Sequence, residues 1–419
     1  MDQVQRGLSS PSRLGEIYGP DTFLASRPWE GASRWLTSGG AHIEAMTGRH
    51  TAFAGEMPDL CHTATRSAVG LQLMRDAGLS PSAAALVYDS TEQYVAHIRA
   101  LAAEGKRGVP VYRVPEDVLP SASSLVPSEL LGYLNDKANL TELAPSEGVP
   151  QREVLSGADF ATRKWTLPIA VKVATTEANA GGRDIVLCVR PRHLRRAIER
   201  FNEAERVVVE QFLHPVRNDS FQVAVMPDGS LGGFPPTLQV TNYRGVHTSS
   251  IHDAADPPPA AAQALALAAA RRGAELGYRG VCGFDVLTGR DGRSYIVDLN
   301  FRICASTGMV LLTPELQTTR KLPVVQQMTA YFGGGIDSFA RLASSFVSKG
   351  TLVPIGTFDA RLAGQGDGCE LTLLLFGNDR HEIELELRKL NQLGLGFKGW
   401  EPPLLQQIGN ALRNRRKPD

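Results

Sequence analysis

The segment CGFDVLTGRDGRSYIVDLNFR, residues 282–302, constrains the fold and chemistry of this chain more than any other. It predicts two strands on either side of the turn GRDG, and side-chain alternation along them would bring Asp285, Asp298 and Asn300 near one another. Their hard oxygen atoms suit Mg²⁺, which binds one or two carboxylates together with phosphate oxygens. Arg302, two residues beyond Asn300, can bind a transferring phosphoryl group. The segment therefore predicts a magnesium and phosphate site.

Acidic residues in hairpins are commonly solvated and bind no metal. This alternative explanation suits one acid of the segment and not another. We interpret Asp291, which lies in the turn GRDG, as a solvated residue and leave it out of the site. Asp285 lies instead in the apolar stretch VCGFDVL, which disfavours a carboxylate that merely faces solvent.

A second candidate phosphate site lies upstream of the hairpin. Lys172 follows the apolar strand PIAV and precedes the polar loop ATTEANAGGRD. Gly181 and Gly182 would let backbone NH groups approach phosphate oxygens without a Cβ in the way, and Arg183 would add a charge-assisted contact. Taken singly, a GG pair is more often a flexible turn, and a lysine at a strand end more often reaches solvent. Their combination favours a phosphate-binding loop.

The segment VVVEQFLHP predicts a buried strand that could hold a flat heterocycle such as adenine. The strand reaches Glu210, and its continuation through Phe212 and Leu213 could present backbone groups to the ring. The alternative, from this segment alone, is a strand with an exposed carboxylate near its end. The order of the three segments along the chain is what favours a nucleotide site.

Composition excludes several classes of protein. Lysine and arginine number 44, as do aspartate and glutamate, so no overall charge favours nucleic acid or an anionic membrane. No stretch approaches the roughly 18 apolar residues that a membrane helix requires. The five cysteines are far apart and form no CxxC pair, which argues against a disulfide scaffold or a zinc site. We therefore expect a cytoplasmic protein that binds neither nucleic acid nor membranes.

A chain of 419 residues is too long for one compact domain, and we expect three. Residues 1–135 would contain a small α/β domain, predicted from the βαβ pattern SAAALVYDS, EQYVAHIRALAAEG and GVPVYRVP that begins at Ser80. The part before about Gly55 has no periodic pattern and receives no prediction. Residues 136–335 would hold the lysines and the hairpin, and residues 336–419 a compact α+β domain. The predicted fold class is therefore α/β and α+β.

The sequence resembles the ATP-grasp superfamily in the order of four features. These are an early lysine, a second lysine with a glycine-containing loop, an EQFL segment and a D…D-x-N-x-R hairpin. The similarity covers roughly Ser80 to Thr313. It implies an ATP-grasp fold, in which ATP lies between two sheets, preceded by a small α/β domain. The resemblance implies phosphate contacts for Lys137 and Lys172, adenine contacts for Glu210 and Leu213, a ribose contact for Asp219, and Mg²⁺ ligands at Asp285, Asp298 and Asn300.

The sequence departs from the superfamily pattern at three positions. The acidic residue expected after EQFL is displaced within HPVRNDSF, where Asp219 is the candidate. Many members have an arginine where this chain has Gly283, so Arg302 would carry more of the anion stabilisation. Asp298 replaces the more usual glutamate, which shortens the reach of the carboxylate by one methylene.

Within the superfamily, the C-terminal segment and the sequence around the hairpin are most similar to the peptide ligase of pheganomycin biosynthesis. This resemblance implies an enzyme of antibiotic biosynthesis that uses ATP and Mg²⁺. Its substrates would be an amino-acid-like carboxylate and the amino end of a peptide.

The activity implied is ATP-dependent ligation of a carboxylate and an amine. The carboxylate would attack the γ-phosphate, with Lys172 and Arg302 offsetting the charge, and an amine would then attack the acyl phosphate. Alternatives on the same scaffold are a small-molecule kinase and a catalytically inactive ATP-binding regulator, and a homodimer is left open. The segment YRGVHTSSIHD, with Arg244, His247 and His252, would form a lid or bind substrate, although histidines in loops are usually solvated.

Overall fold

The computed structural model describes residues 11–29, 35, 41–177, 184–242 and 247–400. Three sheets organise them: a parallel four-stranded sheet in the N-terminal part, an antiparallel four-stranded sheet, and a ten-stranded antiparallel sheet. Among the described helices, none is long and apolar enough to cross a bilayer.

The N-terminal part is a small parallel α/β domain, as the sequence predicted, with strand order β3-β2-β1-β4. Helix α4 has the local features that predict a helix. The side chain of Ser90 caps its first turn by accepting a hydrogen bond from the NH of Gln93, and its apolar residues Tyr94 and Ile98 face the core. The predicted βαβ unit connects the two edge strands of the sheet, since β1 and β2 lie between them. The elements are α1 (Leu14–Tyr18), β1 (Thr22–Ala25), α2 (Ala41–Thr47), β2 (Asp59–His62), α3 (Ala68–Asp76), β3 (Ala85–Tyr88), α4 (Thr91–Ala103) and β4 (Arg107–Pro110).

The second sheet has the order β5-β8-β6-β7 and begins after two short helices. All residues of its central strand β6 are buried, which agrees with the apolar run IAVKVA. Helix α8 covers one face of the sheet through Ala197 and Phe201 and turns most of its arginines outward. The elements are α5 (Ser128–Asn135), α6 (Leu140–Leu143), β5 (Arg152–Leu155), α7 (Gly157–Thr162), β6 (Ile169–Ala174), β7 (Ile185–Cys188), α8 (Pro191–Phe201) and β8 (Arg206–Gln211).

The third sheet has the order β14-β13-β9-β11-β12-β15-β17-β16, with β10 paired to β9 and β18 to β15. Helix α9 packs on one face of it, against Phe221 and Val223 of β9, and leaves the other face free to line a cavity. The elements are β9 (Pro215–Val225), β10 (Leu231–Gly233), β11 (Thr237–Thr241), β12 (His247–Asp253), α9 (Ala260–Glu275), β13 (Gly280–Gly289), β14 (Ser294–Asn300), α10 (Thr307–Arg320), β15 (Val324–Phe332), α11 (Gly335–Ser348), β16 (Leu352–Asp359), β17 (Cys369–Gly377), α12 (Arg380–Gln392) and β18 (Gly396–Phe397).

The predicted C-terminal domain, residues 336–419, has the expected α+β composition in its described part, but it is not built on a sheet of its own. Strands β16 and β17 join β15, and β15 pairs with β12, so they continue the ten-stranded sheet. The predicted hairpin at residues 282–302 is confirmed as β13 and β14.

Asp59, the first residue of β2, is a buried acid of the N-terminal domain whose carboxylate has no hydrogen-bond donor among the described residues. Burial, opposed in part by the charge of Arg66, raises the pKa of Asp59 to about 7. The folded state therefore retains a proton that the unfolded chain releases near pH 4.

We predict that Asp59 makes the protein less stable as the pH rises from about 4 to about 7. The folded pKa lies above the unfolded one, so folding takes up a proton in this window, and at pH 8 the cost is on the order of 4 kcal/mol. Asp59→Asn should remove this slope and raise the melting temperature at pH 8, with little change at pH 4. Calorimetry across pH checks it, with Asp76→Asn on the exposed side of α3 as the control. Parallel pH profiles for wild type and Asp59→Asn would contradict the prediction.

Candidate active site

A cavity of about 520 Å³ lies between the two antiparallel sheets and is closed on a third side by the N-terminal domain. Strands β6, β7 and β8 supply one wall, and β9, β13 and β14 supply the facing wall. Segments that follow β1 and β4 supply the third, through Ser26 and Tyr112. These segments follow the carboxyl ends of parallel strands, where α/β sheets commonly bind ligands.

Lys172 lies on β6 and lines the cavity as part of a buried ionic cluster. Its Nζ lies 2.6 Å from Oε2 of Glu210 and donates a hydrogen bond of 2.7 Å to the carbonyl of Val297 on the opposite wall. Arg152, directly opposite Glu210 in the pairing of β5 and β8, approaches the other carboxylate oxygen at 3.4 Å. Lys172 therefore does not reach bulk solvent but joins the two sheets at the cavity.

Lys137 forms a second buried cluster with two acids. Its Nζ lies 2.8 Å from Oδ1 of Asp298 and 3.1 Å from Oδ2 of Asp184. Burial alone would lower the pKa of Lys137, but the two carboxylates outweigh it and hold that pKa above its usual value. Lys137 is therefore a permanent cation between the two sheets, bonded to two acids that line the cavity.

The structure brings the four hairpin residues together at the cavity surface. Asp285 and Asp298 are register partners on β13 and β14, and Asn300 Nδ2 lies 3.4 Å from Asp298 Oδ2. Arg302 donates a 2.8 Å hydrogen bond to Oδ1 of Asn300, and Gln239 on β11 donates one of 2.6 Å to Oδ1 of Asp285. The side-chain convergence predicted from strand alternation is thus present.

The two neighbouring carboxylates of the hairpin have pKa values shifted in opposite directions. Burial, together with the charge of Asp298, raises the pKa of Asp285 to about 7. Burial also disfavours the charged form of Asp298, but Lys137 outweighs it, so the pKa of Asp298 lies below its usual value. Among the described residues, no three histidine, cysteine or acidic side chains cluster as a metal cage. Two carboxylates and an amide nevertheless fit Mg²⁺, which keeps water and phosphate oxygens as its other ligands.

Two predicted site residues lie elsewhere. Asp219 alternates with the cavity-lining residues of β9 and faces the side covered by α9, where it is fully buried and bonded at 2.8 Å to Arg217. The predicted ribose contact for Asp219 is therefore wrong. His252 does not line the cavity, and its Nδ1 is hydrogen-bonded to the carbonyl of Pro236. His252 lies on β12, and its ring contacts the segment before β11 instead of the cavity.

Other predicted residues are divided between the cavity and the undescribed segments. Phe212, Leu213 and His247 line the cavity, as does Glu210, whose carboxylate already binds Lys172. Burial, and then the charge of Lys398, lowers the pKa of His247 to about 4, so this histidine is neutral at pH 7. Four predicted residues lie outside the described part of the chain: Gly181, Gly182, Arg183 and Arg244.

Sequence reasoning missed several residues that the cavity contains. Asn218, next to Asp219, faces the cavity and donates to Gln239, while its own Oδ1 has no hydrogen-bond partner in the part of the chain that the structure describes. Strand parity would have selected it, because Ser220 and Asn218 share a face. Asp184 follows Arg183 in the sequence and gave no local signal. Arg152, which does not line the cavity but pairs with Glu210 from an edge strand, gave none either. Residues from the two ends of the chain, Arg49 and Lys398, also reach the cavity.

Solved structures with the same architecture identify the fold. An N5-carboxyaminoimidazole ribonucleotide synthetase bound to ADP matches with a TM-score of 0.56 and 15% identity, over 90% of this chain and 97% of that one. Biotin carboxylase from Campylobacter jejuni matches with a TM-score of 0.54 and 14% identity, over 91% and 92%. An L-amino acid ligase from Bacillus licheniformis matches with a TM-score of 0.51 and 12% identity, over 91% and 99%. The chain therefore has the ATP-grasp fold that the sequence predicted.

The two domains also match family models, and the chain belongs to the ATP-grasp ligases. The models describe one kind of enzyme, the L-aspartate–L-methionine ligase. Its N-terminal domain matches residues 13–132, and its ATP-grasp domain matches residues 150–300. The closer resemblance to the pheganomycin peptide ligase stays a prediction.

We predict that the ion pair of Lys172 and Glu210 is worth far more to stability than an exposed pair on the neighbouring strand. Glu210→Gln leaves Lys172 buried without a counter-charge and should cost about 3 kcal/mol. Glu153→Gln on β5 breaks a pair with Arg163 whose two side chains are about half exposed, and it should cost under about 0.5 kcal/mol. Calorimetric melting of both variants measures the difference. Equal losses in the two variants would contradict a special role for the buried pair.

Proposed function

We propose that this protein is an ATP-dependent carboxylate–amine ligase that forms an amide bond through an acyl phosphate. The observation that carries the proposal is the convergence of two buried lysines on one acidic hairpin. Lys137 bonds the carboxylate of Asp298, and Lys172 bonds the backbone of Val297 one residue earlier. Arg302 lies beside them on the cavity surface. Cations in this arrangement suit the phosphates of a nucleotide that lies between the two sheets.

Asp285, Asp298 and Asn300 are the residues that would hold Mg²⁺. Their two carboxylates and one amide supply hard oxygen ligands, and Lys137 leaves the second oxygen of Asp298 without an ion-pair partner. A bound Mg²⁺ would neutralise charge on the phosphate oxygens. The remaining steps are assigned to side chains of the protein.

The nucleotide base would lie against the wall formed by β6, β7 and β8. Ala170, Leu187, Phe212 and Leu213 give this wall an apolar surface, and backbone groups of the last two residues follow the end of β8. Asn218, whose side-chain oxygen is unpartnered, replaces Asp219 as the candidate ribose contact. These contacts would fix the nucleotide so that its phosphates point to Lys172 and the hairpin.

The reaction would proceed in two displacements. A substrate carboxylate oxygen attacks the γ-phosphorus, the bond between that phosphorus and the bridging oxygen of ADP breaks, and an acyl phosphate forms. Lys172 and Arg302 would offset the negative charge that spreads over the phosphoryl oxygens. A substrate amine then attacks the carbonyl carbon, phosphate leaves, and the amine loses a proton. The enclosed cavity would protect the acyl phosphate from water.

Amino acids are the substrate class that the comparisons support best. The family models are named for a ligase of L-aspartate and L-methionine, and one structure of the same fold is an L-amino acid ligase. We therefore propose an amino-acid-like carboxylate and an amino-acid or peptide amine. The peptide amine rests on the resemblance to the pheganomycin enzyme.

We predict that ADP release requires Mg²⁺, a carboxylate substrate and an amine together. The assay pairs L-amino acids, starting with L-aspartate and L-methionine, and identifies the product by mass spectrometry. Asp298→Asn and Asp285→Asn should each lower kcat by about 100-fold, because each removes a carboxylate that would hold Mg²⁺ beside the reacting phosphate. Asp291→Asn, in the exposed turn of the same hairpin, is the matched control and should retain full activity.

The other outcomes separate the rival functions. A stable phosphorylated carboxylate or alcohol made without an amine would identify a kinase. Nucleotide binding with no turnover for any pair would identify a regulator.

A further inference from the structure

One end of the cavity is not used by the proposed transfer of phosphate. We call it the distal end, and it is formed by segments from both ends of the chain together with β12, β16 and β17. Its lining residues are His42, Met46, Arg49, His50, Phe53, His247, Ile355, Thr372 and Lys398. It lies toward the other edge of the ten-stranded sheet from the hairpin, because β9, β11 and β12 separate β13 from β15 and β17 in the strand order.

Charge is segregated along the cavity. The four described acids that line it are Asp184, Glu210, Asp285 and Asp298, and all of them belong to the nucleotide end. At the distal end the lining side chains include two cations, Arg49 and Lys398. Burial lowers the pKa of His50 to about 3, and that of His247 is about 4, so both histidines are neutral at pH 7.

A carboxylate behind the lining residues already neutralises part of the positive charge at the distal end. Glu370 on β17 accepts hydrogen bonds from Nδ1 of His42 at 3.1 Å and from Nη2 of Arg49 at 3.3 Å. These bonds hold the Arg49 side chain in place. The side chain of a second cation, Lys398, has no hydrogen bond or ion pair among the described residues, although its backbone NH donates to Thr329.

Donor capacity at the distal end is also unused. Arg49 Nε and His50 Nδ1 are buried and have no partner among the described residues. Partial burial lowers the pKa of Lys398, the charge of Arg49 lowers it further, and the charge of Glu370 opposes both, so Lys398 lies within electrostatic range of Arg49 and Glu370. A bound anion would supply a counter-charge to both cations and accept a hydrogen bond from Nε of Arg49.

We propose that Arg49 and Lys398 bind a free carboxylate carried by the amine substrate. The inference rests on the proposed ligase function. The carboxylate that reacts must lie at the nucleotide end, near Arg302, so the distal cations would hold one that does not react. An amino acid, or a short peptide with a free carboxyl terminus, brings such a group whenever it supplies the amine. Met46, Phe53 and Ile355 would contact its apolar side chain.

The test compares amines that differ in this one charge. With ATP, Mg²⁺ and L-aspartate, we would measure ADP release for L-methionine, for L-methionine amide, and for a dipeptide with amino-terminal methionine and a free carboxylate. If that pair is inactive, the most active L-amino acid pair is compared with the matching amide. We expect the wild type to use the free acid at least about 10-fold better than the amide in kcat/KM. The dipeptide shows whether the bound carboxylate is that of an amino acid or of a longer chain.

Variants assign the preference to the distal end. Lys398→Met should raise the KM for the free acid about 10-fold and leave the KM for ATP and the use of the amide unchanged. Lys398→Arg should keep the preference for the acid. Lys349→Met, which removes an exposed lysine at the end of α11, is the matched control.

Equal use of acid and amide by the wild type, or an unchanged preference in Lys398→Met, would overturn the inference while leaving the ligase function in place. Absence of ADP release for every L-amino acid pair would overturn the ligase function and this inference with it.

Discussion

The position of Lys137 between Asp184 and Asp298 is the interaction on which the site depends. The three residues come from the segment before the antiparallel sheet, from the start of β7 and from the hairpin, and no strand pairing joins these parts. A buried lysine with one carboxylate would be electrically balanced, but this one has two. The two carboxylates keep the lysine protonated, and Asp298 adjoins Asp285 at the cavity surface, where their oxygen atoms would suit a divalent cation.

The second lysine repeats this design on the facing wall. Lys172 is held by Glu210 within its own sheet and by the carbonyl of Val297 across the cavity. The two lysines therefore contact adjacent residues of β14, one through a side chain and one through the backbone. Because these contacts are short and partly or fully shielded from water, they fix the spacing between the sheets more firmly than apolar contact would, and that spacing sets the width available to a nucleotide.

The features that could be predicted from the sequence are those that local patterns determine. The hairpin, its converging side chains and the lysine on β6 follow from alternation, a glycine turn and an apolar run, which act within a few residues. The prediction for Asp219 failed because alternation along β9 turns its side chain toward helix α9. Its neighbour Asn218 faces the cavity instead. Arg49 and Lys398 could not be predicted, since they meet through pairing between segments hundreds of residues apart. The same holds for β16 and β17, whose continuation of the central sheet is a property of tertiary pairing.

The internal ion pairs of the lysines have a consequence for which anions the protein can accept. The two lysines that would meet phosphate are already neutralised by Asp184, Asp298 and Glu210, which leaves Arg302 as the cation there with no such pair among the described residues. Nucleotide binding would be an exchange of ionic partners. An anion that arrived without a cation would take the lysines from these carboxylates and leave the carboxylates buried without a counter-charge, which costs free energy. Free phosphate would therefore compete poorly, and the site would favour polyanions that bring their own metal.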